Sequence, residues 1–210
     1  KKLKQILKKN KRIKLFEVKQ LRFSKLIENI SKVYKKNKLG NIHFININIF
    51  INRSKKYFNN SWRGTKNLDG GVLFNQLSHH IDLIFYMFNP KKITKLFFTS
   101  INKKKLETED AGLLTFKINN SSIVNINYSL NSYKNNFINS FNGVFDFANF
   151  SFNFRKLDKL QNFIFKNKHL NSKFKKSFEE NDLYVKFYEE IAKNYLYGNK
   201  SQKLSDIYDA

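Results

Sequence analysis

Residues 42–52 read Ile-His-Phe-Ile-Asn-Ile-Asn-Ile-Phe-Ile-Asn, and that alternation admits one local structure. Successive side chains of a strand point to opposite faces. Ile45, Ile47, Ile49 and Ile51 therefore share one face, and Phe44, Asn46, Asn48 and Phe50 share the other. Such a strand needs a sheet around it and a cover for its isoleucines. Runs at 93–101, 111–118, 122–130 and 141–152 supply strand neighbours, with Asn119-Asn120-Ser121 as a hairpin turn. Leu26, Ile27, Ile30, Val33 and Tyr34 make one apolar helix face, with Ser24 as its cap and Gly40 as its left-handed end. Residues 72–88 read as a single, largely apolar helix stopped by Asn89-Pro90. Leu3, Ile6 and Leu7 suggest the end of an amphipathic helix over 2–10, and 13–18 a short buried strand. Residues 183–197 look helical, with Leu183, Phe187, Ile191 and Leu196 near one face; 155–182 are too polar to assign. Strands in succession favour an α+β fold: an open, predominantly antiparallel sheet with helices on one face.

The 210 residues suffice for one sizeable domain. The chain starts at Lys1 and ends at Ala210 in a helix-like stretch, which reads as a fragment. It has no cysteine, so disulfides and thiolate metal sites are excluded. No apolar run reaches the roughly 20 residues that cross a bilayer, and no signal peptide is visible. A cytoplasmic protein without a membrane partner is expected. The net charge of +24 raises a nucleic-acid or membrane-surface reading. Against it, Lys, Asn, Ile, Phe and Tyr, all encodable by A/T-rich codons, dominate the whole chain. Of 40 basic residues only Arg12, Arg22, Arg53, Arg63 and Arg155 are arginine, the residue suited to bidentate contacts. No specific nucleic-acid partner is expected. The same bias makes rare residues informative: the only Trp, Trp62, stands beside Arg63, and three of the seven glycines (Gly64, Gly70, Gly71) lie within a few residues of it.

Several segments carry a family likeness. Residues 15–23, Leu-Phe-Glu-Val-Lys-Gln-Leu-Arg-Phe, resemble the strand and turn that leave the dinucleotide-binding half of Gfo/Idh/MocA oxidoreductases. Ser61-Trp62-Arg63-Gly64-Thr65, Leu68-Asp69-Gly70-Gly71 and Asn75-Gln76-Leu77-Ser78-His79-His80-Ile81-Asp82 resemble that family's central signature, in order and spacing. Residues 107–112, Glu-Thr-Glu-Asp-Ala-Gly, resemble its acidic turn. The likeness covers roughly residues 3–130 well and the rest loosely. It is strongest to the branch of UDP-N-acetyl-2-amino-2-deoxyglucuronate dehydrogenases and their relatives. The resemblance implies residues 1–23 as the last helix and strand of a Rossmann domain, and 24–210 as the substrate and oligomerisation domain. It implies oxidation of a sugar-nucleotide C3 hydroxyl to a ketone in surface-polysaccharide (lipopolysaccharide, O-antigen) precursor synthesis, with NAD or NADP as cofactor. It also implies a homo-oligomer built through the open sheet. The family's Gly-x-Gly-x-x-Gly loop and Glu-Lys-Pro motif are not in this sequence, so most cofactor contacts are expected from an upstream half.

On this basis His79 is the expected base, because alcohol oxidation needs a group to take the hydroxyl proton, and Asn75, four residues earlier, orients it or holds a hydroxyl. The competing reading is a histidine packed in a buried helix. Lys19, Gln20, Trp62 and Arg63 are expected at the cofactor; Arg22, Arg63, Gly70, Gly71 and Asn75 at the substrate. Arg63 offers a fork for phosphate oxygens, and the glycines could turn exposed N–H groups toward an anion. For Trp62-Arg63 the alternative is a surface anchor, and for Lys19-Gln20 a solvated strand end. No metal site is expected: His79 and His80 point about 100° apart on a helix, with no third ligand suitably spaced. His43 and His169 show no partner signal. Two rivals remain: a non-catalytic assembly or binding remnant of the same fold, and a nucleic-acid binder.

Overall fold

The computed structural model of the chain describes residues 5–6, 9–10, 13–59, 61–179, 182–198 and 201–206. The helix expected over 2–10 lies largely outside them. The chain divides into two compact units: residues 1–24 with 180–210, and residues 25–179. The C-terminal segment thus belongs with the N-terminal one, not with the sheet.

In the smaller unit, strand β1 (Phe16–Glu17) is shorter than the 13–18 run and pairs antiparallel with β9 (Ser205–Asp206). A 3-10 helix (Gln20–Phe23) follows β1, and helix α6 (Leu183–Tyr197) completes the unit. Asp182 caps α6 by accepting from the Tyr184 and Val185 N–H groups. Phe23, Phe187 and Leu204 form the core, with Phe16, Leu183 and Ile191 packed on it. Leu196, expected on the apolar face, is exposed.

The larger unit is built on the strand that the alternation defines, β2 (Ile42–Phe50). Ile45, Ile47 and Ile49 are almost fully buried, as the pattern requires. β2 lies at the centre of a seven-stranded sheet of order β3-β4-β5-β2-β6-β7-β8. Its members are β3 (Ile93–Ile101), β4 (Ala111–Ile118), β5 (Ser122–Ser129), β6 (Ile138–Phe145), β7 (Ala148–Asn153) and β8 (Phe163–Phe165). Only the β2–β5 pair is parallel. The sheet is therefore predominantly antiparallel. The run read as one strand over 141–152 is two, folded back at Asp146-Phe147. The polar 155–182 stretch holds β8 and helix α5 (Lys168–Lys175). Asn119 and Asn120 both adopt positive φ (52° and 64°), the conformation of a tight primed hairpin turn.

Helices cover one sheet face. Helix α1 (Lys25–Lys35) buries Leu26, Ile27, Ile30 and Val33. Its left-handed end is Asn37 (φ 52°), not Gly40: the Lys38 N–H reaches back to the Val33 carbonyl and closes the last turn. Gly40 (φ 75°) turns the chain into β2 against Asp146, where an added Cβ would lie 2.5 Å from that side chain. Asp146 accepts the Asn41 N–H (2.6 Å) and the His43 ring nitrogen (2.7 Å), which hold its carboxyl below the usual range. His43 thus has a partner that the sequence did not signal.

Phenylalanines fill the space beneath β6–β8. Phe141 stacks on Phe152 at 4.7 Å with rings 6° from parallel, and Phe150 and Phe165 extend the row to Phe174 of α5. The opposite face is open and carries an asparagine ladder. In-register pairing sets Asn46 beside Asn125 and Asn48 beside Asn127. Asn125 and Asn127 both donate to the Asn46 side-chain oxygen (3.1 Å each), and Asn127 donates to Asn48 (2.9 Å).

Candidate active site

Strands β2 and β5 run parallel, so their carboxyl ends share one rim of the sheet. The polar loop after β2 rises from this rim, with helix α2 (Lys55–Phe58) inside it. Next come helix α3 (Val72–Asn75) and helix α4 (Ser78–Phe88). The sequence reads 72–88 as one helix; the structure breaks it at Gln76-Leu77. The Leu77 N–H bonds to the Val72 carbonyl five residues back, a widened turn, and the His80 N–H bonds only three back, to Leu77. The apolar spacing runs through the break, which is why periodicity does not reveal it. Gln76 (φ −83°, ψ −47°) and Leu77 (φ −79°, ψ −19°) keep right-handed helical backbone across the break.

Tethers from elsewhere set the loop. Asp69 accepts from the Asn75 side-chain amide and from the Gly64 N–H (2.6 Å), joining the turn at 64 to α3. Asn75 is therefore anchored to Asp69 through its side-chain nitrogen. The acidic turn holds three segments at once. Glu107 accepts the Lys66 N–H, Glu109 the Leu73 N–H (3.0 Å each), and Asp110 the Asn131 amide (2.8 Å). The Glu109 carboxylate thus sits at the start of α3, beside Gly71. An added Cβ on Gly71 (φ 92°) would lie 2.6 Å from Glu109 Oε2. Tyr128, at the end of β5, has a buried hydroxyl whose pKa is pushed up by burial and by nearby Glu109 and Asp110.

His79 opens α4 just past the break and is half-buried. His80 is the packed member of the pair, 8% exposed, with its ring edge-to-face with Phe154 and the centroids 4.5 Å apart. Burial, then the adjacent His79 charge, lowers its pKa to about 4 against the hydrogen bonds to the Gln76 carbonyl and Asn139. His80 is neutral near pH 7 and packed, and His79, although half-buried overall, has its Nδ1 buried. Among the described residues no group of three His, Cys, Asp or Glu side chains is placed to hold a metal.

Arg63 is held between rings, its Cζ 4.7 Å from the Tyr57 centroid and 5.0 Å from that of Trp62, with Nη1 on Ser61 Oγ (3.2 Å). Trp62 is half exposed. A small cleft, with room for about one water, opens among Tyr57, Gly64, Asp69, Asn75, Gln76 and Glu109. His79 is not one of its walls. The sequence did not mark Tyr57 or Gln76, whose amide approaches the Tyr57 hydroxyl (3.5 Å).

Lys19, Gln20 and Arg22 belong to the smaller unit. Lys19 is buried and paired with Glu17 (2.7 Å), which rules out the solvated strand end. Gln20 donates to the Tyr184 hydroxyl (3.2 Å), and its Oε1 is buried with no hydrogen-bond partner. Arg22 is half-buried in the last turn of the 3-10 helix.

The family model of the GFO/IDH/MocA C-terminal domain matches residues 27–146, more than half the chain. The chain belongs to the GFO/IDH/MocA family. The expected α+β architecture is thereby confirmed for this GFO/IDH/MocA chain. Its fold is similar to that of the WlbA dehydrogenase from Bordetella pertussis in complex with NADH and UDP-GlcNAcA, with TM-score 0.80 and 22% identity over 94% of this chain and 57% of that one. The WlbA dehydrogenase from Chromobacterium violaceum, with the same ligands, gives TM-score 0.82 and 22% identity over 98% and 58%. An inositol dehydrogenase homolog from Azotobacter vinelandii, with NAD+, gives 0.67 and 15% over 80% and 45%. The GFO/IDH/MocA chain thus spans under two thirds of the WlbA chains. No curated protein sequence matches it significantly.

Proposed function

We propose that this chain supplies the substrate half of a nicotinamide-dependent dehydrogenase that oxidises the C3 hydroxyl of a sugar nucleotide during surface-polysaccharide precursor synthesis. The observation that carries the reading is local: His79, half-buried, stands where the helix restarts, beside a loop that the Asp69 and Glu109 tethers fix in one shape. A proton acceptor on a preorganised rim is what alcohol oxidation requires. The similarity in fold to WlbA favours a uronic-acid sugar nucleotide as substrate. His79 would take the hydroxyl proton through its imidazole. Asn75, held by Asp69, would turn its amide oxygen to a neighbouring hydroxyl. Trp62 and Arg63 would lie along the nucleotide.

The residues present fit only the nicotinamide end of a cofactor. The buried Gln20 Oε1 is an orphan acceptor suited to a carboxamide N–H, and this sequence holds no glycine cradle for a pyrophosphate. When bound, the nicotinamide ring supplies the acceptor for the hydride leaving the sugar carbon. The test joins this chain to an upstream dinucleotide-binding half. The joined protein is expected to reduce NAD when given UDP-N-acetylglucosaminuronate, whereas the 210-residue chain alone binds NADH without saturation. Saturable NADH binding by the chain alone would overturn this placement of the cofactor.

The open sheet face supports self-association. From Phe44 onward, the outward positions of β2, β4, β5, β6 and β7 carry one charged side chain, Lys117, in a chain of net charge +24. A polyanion would find a single cation, Lys117, on these positions. A second copy would find apolar Phe44, Ile123 and Val144 around a self-complementary amide ladder. Sedimentation is expected to show a dimer or larger, and a monomer once Ile123 and Val144 are both changed to Lys. A monomeric parent at micromolar concentration contradicts the proposal.

A further inference from the structure

Two of the five arginines converge on one ring. Arg53 leaves the end of β2 with its Cζ 5.2 Å from the Tyr57 centroid, and Arg63 approaches the same ring at 4.7 Å. Arg53 gives Nη1 to the Asn52 carbonyl (3.1 Å), but its Nε is buried and has no hydrogen-bond partner. Neither guanidinium meets a carboxylate among the described residues. A ring attracts each cation, and a buried N–H without an acceptor carries a desolvation cost. An oxyanion reaching Arg53 supplies that acceptor, and one with two or more oxygens has others left for Arg63. Guanidinium forks match such oxygens edge to edge, which lysine cannot do. Elsewhere this chain uses lysine almost without exception.

We infer that Arg53 and Arg63, gathered over Tyr57, form a two-armed receptor for an oxyanion of the diphosphate or carboxylate kind. The inference rests on the sugar-nucleotide reading only for which of these the natural ligand presents. Tyr57 is the spacer that sets the arms, and Trp62 flanks the second arm. The receptor makes Arg53 a substrate-positioning residue on the loop side of the site.

Trp62 is the only tryptophan, so its fluorescence reports on the receptor directly. The 210-residue chain is titrated with inorganic pyrophosphate, UDP and glucuronate at fixed ionic strength. Saturable quenching by pyrophosphate and UDP assigns the receptor to phosphate; quenching by glucuronate alone assigns it to the sugar carboxylate. Arg53→Lys keeps the charge and removes the fork, and is expected to weaken that binding about tenfold, the equivalent of one charge-assisted contact. Arg63→Lys repeats the test from the other arm should Arg53→Lys melt early. Lys166→Gln, which removes a cation at Phe147, should leave binding unchanged. The inference is overturned if no oxyanion saturates the parent, if both Lys variants bind like the parent, or if Lys166→Gln loses as much. Turnover is not read, so a failed dehydrogenase assay and a failed receptor are separate results.

Discussion

Replacing His79 with Ala in the protein completed by a dinucleotide-binding half is expected to lower kcat by about 10²–10⁴-fold, the usual contribution of a positioned general base. Substrate binding should change far less, since a general base acts on the transition state more than on the bound ground state. The neighbouring substitution separates chemistry from packing. His80→Ala removes a buried ring from Phe154 and should lower stability, while kcat per folded molecule stays near the parent value. Urea titration and steady-state kinetics on both variants make the comparison. If His79→Ala turns over like the parent, His79 is not the base and this mechanism fails; a parent without turnover would instead favour the non-catalytic remnant.

The largest effect on folding is expected at Phe141. Its side chain is fully buried and contacts Phe88, Phe150 and Phe152 rings at centroid distances of 4.7–6.3 Å. Phe141→Ala removes the ring that joins β6 to β7 and to α4, and leaves a cavity that its rigid neighbours cannot fill. A cost of about 3–5 kcal/mol is expected, a large share of the roughly 5–15 kcal/mol that holds a domain folded. Phe147→Ala, at an exposed position of the β6–β7 turn, should cost far less. Chemical denaturation measures both. A loss below about 1 kcal/mol at Phe141 would mean that the stacked row is not the core of this half of the sheet.

What the sequence reveals and what it hides divides by range. Strand β2 is legible because its alternation is a local property, and the hairpin at Asn119-Asn120 because asparagine tolerates left-handed backbone. The split at Asp146-Phe147 is hidden, since apolar residues flank Asp146 on both sides and neither glycine nor proline stands at the turn. The break at Gln76-Leu77 is hidden for the same reason. The tethers from Asp69 and Glu109 join residues 5 to 36 positions apart and leave no periodic trace. Arg53 was marked only as a rare arginine; its pairing with Arg63 exists once α2 brings Tyr57 between them. Family likeness points to the loop and to His79 but not to the carboxylate that fills the start of α3.

The central claim is that this chain presents a sugar C3 hydroxyl for oxidation. The most direct measurement gives the completed protein a UDP-N-acetylglucosaminuronate labelled with deuterium at C3 and follows NADH by absorbance and mass. The account predicts deuterium on the nicotinamide ring and a slower rate than with the unlabelled sugar. NADH formed without deuterium, or no NADH from this substrate, would contradict it.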